Sequence, residues 1–144
     1  MHDDLVMYRL VLDTNILISS LWGGKPRELI DLWLNGTVRV LSTPAIIEEY
    51  LAVLSRFELS LADMQKWARL FTERTERIEE KTIVDIIKSD PADNKFLSCA
   101  VSGDANYVVS GDKHLLKLKK YNNIVMIKTS DFLDIYYRSI GWDR

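Results

Sequence analysis

Short apolar runs alternate along this chain with stretches of helical period, and that alternation is what most narrows the fold. Tyr8 to Leu12 is an apolar run of strand length that ends at Asp13. Ile16, Leu17 and Leu21, then Leu29, Ile30, Trp33 and Leu34, recur at helical spacing. They read as two short helices broken at Gly23-Gly24, the second stopped by Gly36. Val38 to Leu41 reads as the second strand. Thr43-Pro44 joins a capping residue to a proline at the first helical position, and the stripe Ile46, Ile47, Tyr50, Leu51, Leu54 follows. Ser60, with Asp63 three residues on, opens another helix whose buried face is Leu61, Met64, Trp67, Phe71 and Ile78.

The second half repeats the alternation. Lys81 to Val84, with an outer limit at Ile87, is read as the third strand. Asp90-Pro91 again sets a cap before a proline and launches a helix through Phe96, Leu97, Ala100 and Val101. Tyr107 to Ser110 and Ile124 to Ile127 are the fourth and fifth strands, with short helices at about Lys113 to Leu118 and Ser130 to Tyr137. Strands alternating with helices predict an α/β fold, with a central, mostly parallel five-stranded sheet flanked by helices on both faces. At 144 residues the chain is expected to be a single domain, residues 1–6 forming a frayed N-terminus that includes His2.

Composition removes several classes of function. The single cysteine, Cys99, lies in an apolar run and is expected to be buried packing; alone it offers neither an intrachain disulfide nor a cysteine metal cage. Two histidines are too few for a multi-histidine zinc site. No apolar run approaches the ~20 residues that span a bilayer, and the acidic start lacks the layout of a secretory signal, so no membrane association and a cytoplasmic location are expected. No glycine-rich phosphate loop and no Ser/His/Asp set is apparent.

Acids at strand ends carry the chemistry. Ligands of open parallel sheets bind beyond the carboxyl ends of the strands. Leu10-Val11-Leu12 delivers Asp13 there, and Val108-Val109-Ser110-Gly111 delivers Asp112. Either could be an ordinary loop acid or helix cap. Asp93 suits the dipole of a first helical turn, yet Leu97 and Ala100 at i+4 and i+7 put it beside the apolar face. An inward carboxylate is costly unless something cationic meets it. Asp90 is explained as the cap. Glu48 and Glu49 fall on opposite shoulders of the Ile46/Tyr50/Leu54 stripe, and the apolar flank of Ile46 and Val53 favours Glu49 at the edge of the core. Acids that converge bind a hard divalent cation, Mg²⁺ or Mn²⁺, which suits metal-assisted phosphodiester hydrolysis.

The blocks RLVLDTNILISSLW, TPAIIEEYLAVL, DPADNKFLSCAV and YVVSGDKHLLKL, in this order and spacing, resemble the PIN-domain family over nearly the whole chain. That family includes the toxin nucleases of bacterial and archaeal toxin–antitoxin pairs. The resemblance implies a four-acid metal site of Asp13, Glu49, Asp93 and Asp112, with Thr14, Asn15, Asn94 and Ser110 orienting those acids or the substrate. It implies Mg²⁺ or Mn²⁺ dependence, cleavage of single-stranded RNA, a small antitoxin partner and a homodimer. Two departures stand out: Ser110 where Thr is common before Gly-Asp, and the long Ser60–Glu79 helix with Lys66, Arg69, Arg74 and Arg77.

The net charge of −2 looks unfavourable for a nucleic-acid binder, but setting the four candidate ligands aside turns the balance positive. Lys113, His114, Lys117, Lys119 and Lys120 follow Asp112 closely and could hold a backbone phosphate, or serve as a solvated face. Trp22 beside Gly23-Gly24 is a base-stacking candidate as well as a core or interface residue, whereas Trp33 and Trp67 read as core. Tyr136, Tyr137 and Trp142 are candidates to cover a dimer interface. Rival readings are an aspartyl-phosphate phosphatase built on Asp13-x-Asn15, a scaffold binding RNA or protein without turnover, and a nuclease acting in RNA processing or on DNA.

Overall fold

The computed structural model describes residues 7–88 and 90–142, so the expectations for the N-terminal six residues and His2 lie outside the described residues. Among the described residues the strands and α-helices follow one another as β1 (Arg9–Leu12), α1 (Thr14–Ser20), α2 (Gly24–Leu34), β2 (Arg39–Ser42), α3 (Pro44–Leu54), α4 (Leu61–Glu73), β3 (Thr75–Arg77), α5 (Asn94–Ser102), β4 (Tyr107–Val109), α6 (Lys113–Leu116), β5 (Lys120–Tyr121), β6 (Ile124–Ile127) and α7 (Thr129–Ser139). The strands form one sheet in the order β3-β2-β1-β4-β6-β5, parallel throughout except for the β5–β6 pair. The class is therefore α/β with a mostly parallel sheet, and the strand count is six rather than five.

Leu10, Val11 and Leu12 are all fully buried. Because alternate strand residues face opposite sides, a run buried at every position means that both faces of the sheet are covered. Trp33, Tyr50, Phe71, Phe96 and Phe132 supply the largest buried side chains. Helix starts and stops follow local chemistry. Thr43 caps α3, its hydroxyl accepting the Ile46 N–H, and Ser60 caps α4 through the Asp63 N–H. At the end of α2, Gly36 takes φ +75°, its N–H donating to Trp33 O while the Thr37 N–H donates to Leu32 O. That paired closure requires a left-handed residue, which glycine adopts at little cost.

The third strand is where the sequence misleads. Helix α4 ends at Glu73, and the strand is Thr75–Arg77, a polar edge segment; Ile78 is buried beyond it rather than on the helix. Glu76 is stapled there by the Arg9 guanidinium through contacts of 2.8 and 2.9 Å, with Arg39 adding a third at 3.4 Å. The Arg9 hydrogen bond is the main reason that Glu76 is held below the usual carboxylate range. Residues 81–88 carry no regular secondary structure. Their backbone N–H groups are met by side chains of α5: Ser102 Oγ accepts from Lys81 and Thr82, Ser98 Oγ from Val84, and Asn94 Oδ1 from Ile86 and Ile87. The run is a strap across a helix.

The aromatic residues also sort differently from expectation. Tyr136 and Tyr137 are buried within the chain, Tyr137 donating to Glu28 Oε2 at 2.6 Å and packing edge-on against Trp142. The two tyrosines are consumed by the fold, whereas Trp142 is 59% exposed. Trp67 is only half-buried, against Phe71. Trp22 is 70% exposed, with Phe57 edge-on beneath it. Trp33 and Cys99 are core, and burial pushes the Cys99 thiol up to about 12. Among the described residues no helix is long and apolar enough to cross a membrane.

Candidate metal centre

Strand order places two acids side by side. In this sheet β1 pairs with β2 on one side and β4 on the other, so the chain reverses its direction of growth between β1 and β4. Such a switch point leaves a crevice at the carboxyl ends of the strands. Leu12 pairs with Val109, and the Asp13 N–H donates to Val109 O at 3.0 Å. Asp13 and Asp112 leave neighbouring parallel strands at the same level. Each also caps the helix that follows: Asp13 accepts the Asn15 N–H at 3.4 Å, and Asp112 Oδ1 accepts the His114 N–H at 2.8 Å.

Ser110 links the two. Its hydroxyl donates to Asp13 Oδ2 at 2.7 Å and accepts the Asp112 N–H at 2.8 Å. Asp13 is 4% exposed, and burial, more than its acidic neighbours Asp112 and Glu49, raises its pKa against the pull of the Ser110 hydrogen bond. Tyr50 closes the floor, its hydroxyl donating to Leu12 O at 2.5 Å.

Helix α5 brings the third acid. Asp93 stands at the end of a 3₁₀ turn, Pro91–Asp93, that leads into the helix. Ligand oxygens of Asp90, Asp93 and Asp112 lie within 4.8 Å of one another. Asp93 is 7% exposed, and its Oδ2 is buried with no hydrogen-bond partner. Burial first, then contact with Asp112 and the charges of Asp90 and Asp13, pushes Asp93 up to about 8. This is the reverse of a helix-terminus acid in solvent.

Asp90, which the sequence explains as the cap, stands in this group. Its side chain makes no capping hydrogen bond, although it holds the cap position. The overlooked signal is the Asp90-Pro91-Ala92-Asp93 spacing, since residues three apart on a helical turn share a face.

The remaining candidates are distributed unevenly. Glu49 is half-buried and Glu48 exposed. One Glu49 oxygen accepts the Thr14 hydroxyl and the other pairs with the Lys95 ammonium, so Glu49 stands beside the three-acid group rather than inside it. Asn15 is exposed, reaching Asp13 through its backbone N–H alone among the described hydrogen bonds. Asn94, which the resemblance implies orients the acids or the substrate, makes its described hydrogen bonds to residues 85–87. Its Oδ1 accepts from Ile86 and Ile87, and its Nδ2 donates to Ile87 O and to Asp85. That amide is spent on the strap. Lys113, His114 and Lys117 are exposed around α6, immediately after Asp112.

A family model described as the PIN domain matches residues 9–114, most of the chain and all of this crevice. The chain belongs to the PIN-domain family. PIN domains are in general metal-dependent nucleases that act on nucleic acids and often pair with antitoxins. The acids gathered here fit that chemistry: all are hard oxygen donors, and a buried carboxylate oxygen without a partner is what a divalent cation would satisfy. No curated protein matches the chain at a significant level.

Proposed function

We propose that this PIN domain is a divalent-metal endoribonuclease that cleaves single-stranded RNA, and the toxin of a toxin–antitoxin pair acting in the cytoplasm. The observation that carries the reading is the partnerless, buried Asp93 Oδ2 within the group formed with Asp90 and Asp112. Asp90, Asp93 and Asp112 would hold Mg²⁺ or Mn²⁺, with Asp13 adjoining them through Ser110. A cation bound there supplies acidification of water and stabilisation of charge on the phosphoryl oxygens. Ser110 fixes Asp13 and the Asp112 backbone together, and Thr14 fixes Glu49, so the acids are positioned before substrate arrives. Lys113, His114 and Lys117 lie on the exposed turn that follows Asp112, where a backbone phosphate would be held by charge. Exposed Trp22 with Phe57 offers an aromatic face for a base.

The test is cleavage of matched single-stranded RNA and DNA with Mg²⁺, with Mn²⁺ and with chelator. RNA should be cut, only with metal, and Asp93→Asn or Asp112→Asn should lower turnover by orders of magnitude because an amide is a poor ligand for a hard cation. Undiminished cutting by these variants, or cutting in chelator, would refute the assignment. Growth arrest on expression, relieved by the product of an adjacent short gene, would support the toxin role; its absence would favour RNA processing.

A further inference from the structure

Lys95 lies two residues after Asp93 on α5, and the resemblance assigned it nothing. Its ammonium pairs with Glu49, both side chains about three-quarters buried at 25% and 26% exposure. The second Glu49 oxygen takes the Thr14 hydroxyl. Both oxygens of this acid are thus engaged, one by a cation and one by a buried donor. Asp93 offers the opposite: an oxygen with no partner at all. A cation choosing among these acids meets two unequal offers. To take Glu49 directly it must break a charge-assisted pair, which is about twice as strong as a neutral hydrogen bond. To take Asp93 through Oδ2 it breaks no ion pair and no hydrogen bond.

We propose that Lys95 is a positioning residue that holds Glu49 off the cation and keeps it as an acceptor for the attacking water, leaving Asp90, Asp93 and Asp112 as the direct ligands. This rests on the metal-nuclease reading above. Glu49 sits on α3 and Lys95 on α5, so the pair also fixes the spacing of the two helices that flank Asp13. A pure helix-to-helix staple and a positioning role differ in what they do to metal affinity, and that difference needs no RNA to measure.

The experiment is Mn²⁺ binding by isothermal titration to the wild type, Lys95→Met, Glu49→Gln and the double variant, with Lys95→Arg and Lys95→Gln as companions and circular dichroism to verify folding. Lys95→Met should free Glu49 to coordinate and lower the Mn²⁺ Kd about tenfold or more, while Lys95→Arg, which keeps the pair, should stay within about threefold of wild type. In the Glu49→Gln background the same Lys95→Met change should move Kd by no more than about threefold, since only the loss of a repelling charge remains. In RNA cleavage Lys95→Met should lose kcat with KM little changed. Equal tightening in both backgrounds would make Lys95 a distant charge and overturn the proposal, as would no tightening in either. A wild type that binds no Mn²⁺ would overturn the metal reading and this inference with it; a wild type that binds Mn²⁺ while Lys95→Met and Lys95→Gln leave Kd unchanged would overturn the inference alone.

Discussion

Replacing Asp93 by Asn should stabilise the metal-free protein, although it should abolish activity. The Asp93 carboxyl is raised from 3.8 to about 8 in the fold, by burial first and by Asp112 second. An acid raised in this way leaves the fold unpenalised below the unfolded value near pH 4. The penalty grows as pH rises through 3.8, because the unfolded chain ionises freely and the folded one does not, and it levels off above about pH 8. At pH 7 the gap from 3.8 corresponds to about 4 kcal/mol, at ~1.4 kcal/mol per pH unit. Asn keeps the volume and removes this penalty, but an amide buried at the same place with one unmet atom gives back about 1–3 kcal/mol. The net gain is about 1–3 kcal/mol, or roughly 3–10 °C in melting temperature for a chain of this size. Thermal unfolding in chelator at pH 4, 5.5, 7 and 8 should show Asp93→Asn melting at or below wild type at pH 4, where the cost of the unmet amide prevails, and overtaking it as pH rises. Mg²⁺ or Mn²⁺ at a hundred times its Kd should then add about 2.7 kcal/mol to the wild type and much less to the variant. A variant that melts below wild type at every pH, with both proteins responding alike to metal, would mean that Asp93 is an ordinary helix-terminus acid.

Other substitutions probe the supports. Ser110→Ala removes the hydroxyl shared by Asp13 and the Asp112 N–H, and should weaken Mn²⁺ binding or turnover about 10–100-fold, whereas Ser110→Thr should preserve both; titration and initial rates decide. Asn94→Ala removes the one oxygen that accepts from both the Ile86 and Ile87 N–H groups, and should cost about 2–4 kcal/mol in urea unfolding while speeding limited proteolysis within residues 81–88. Gly103→Val should lower the urea midpoint, by about 1–3 kcal/mol, because a Cβ there would meet Ile78 and Leu41 side-chain carbons at 2.9 Å.

What the sequence made legible is what local apolar pattern can encode. Strands β1 and β4 are written as apolar runs, and each hands the chain to an acid, so the fold class and the positions of Asp13 and Asp112 could be read directly. The shoulder argument also separated Glu49 from Glu48, whose exposures differ as the apolar flank implied. Strand β3 was invisible because Thr75, Glu76 and Arg77 form an edge held by the Arg9 and Arg39 guanidinium groups, a tertiary arrangement with no apolar signature. Residues 81–84 looked like a strand because Ile83 and Val84 suit extended chain, and nothing local announces that their N–H groups will be met by helix side chains. Asp90 and Asn94 were hard to read for a shared reason: capping and orienting are both adequate local explanations, and only the placement of β4 and of the strap shows what these side chains touch.

The strap has a geometric consequence. Asn94, Ser98 and Ser102 recur every four residues, so their oxygens advance about 6 Å per step along the helix axis, while two residues of extended chain advance about 6.5 Å. The two rulers are nearly commensurate, and a helix can therefore read an extended segment in register as a neighbouring strand would. Loops usually absorb insertions. This one cannot do so cheaply, because an added residue slides the N–H groups on one side of it past their oxygens or shifts Asp90, two positions beyond Lys88, relative to Asp93 and Asp112. The backbone is gripped by α5, Val84 and Ile87 are buried in the core, and Ile83 projects 81% exposed. Residues 81–88 form a segment whose length is fixed and whose letters are free to drift only where, as at Ile83, they leave the core.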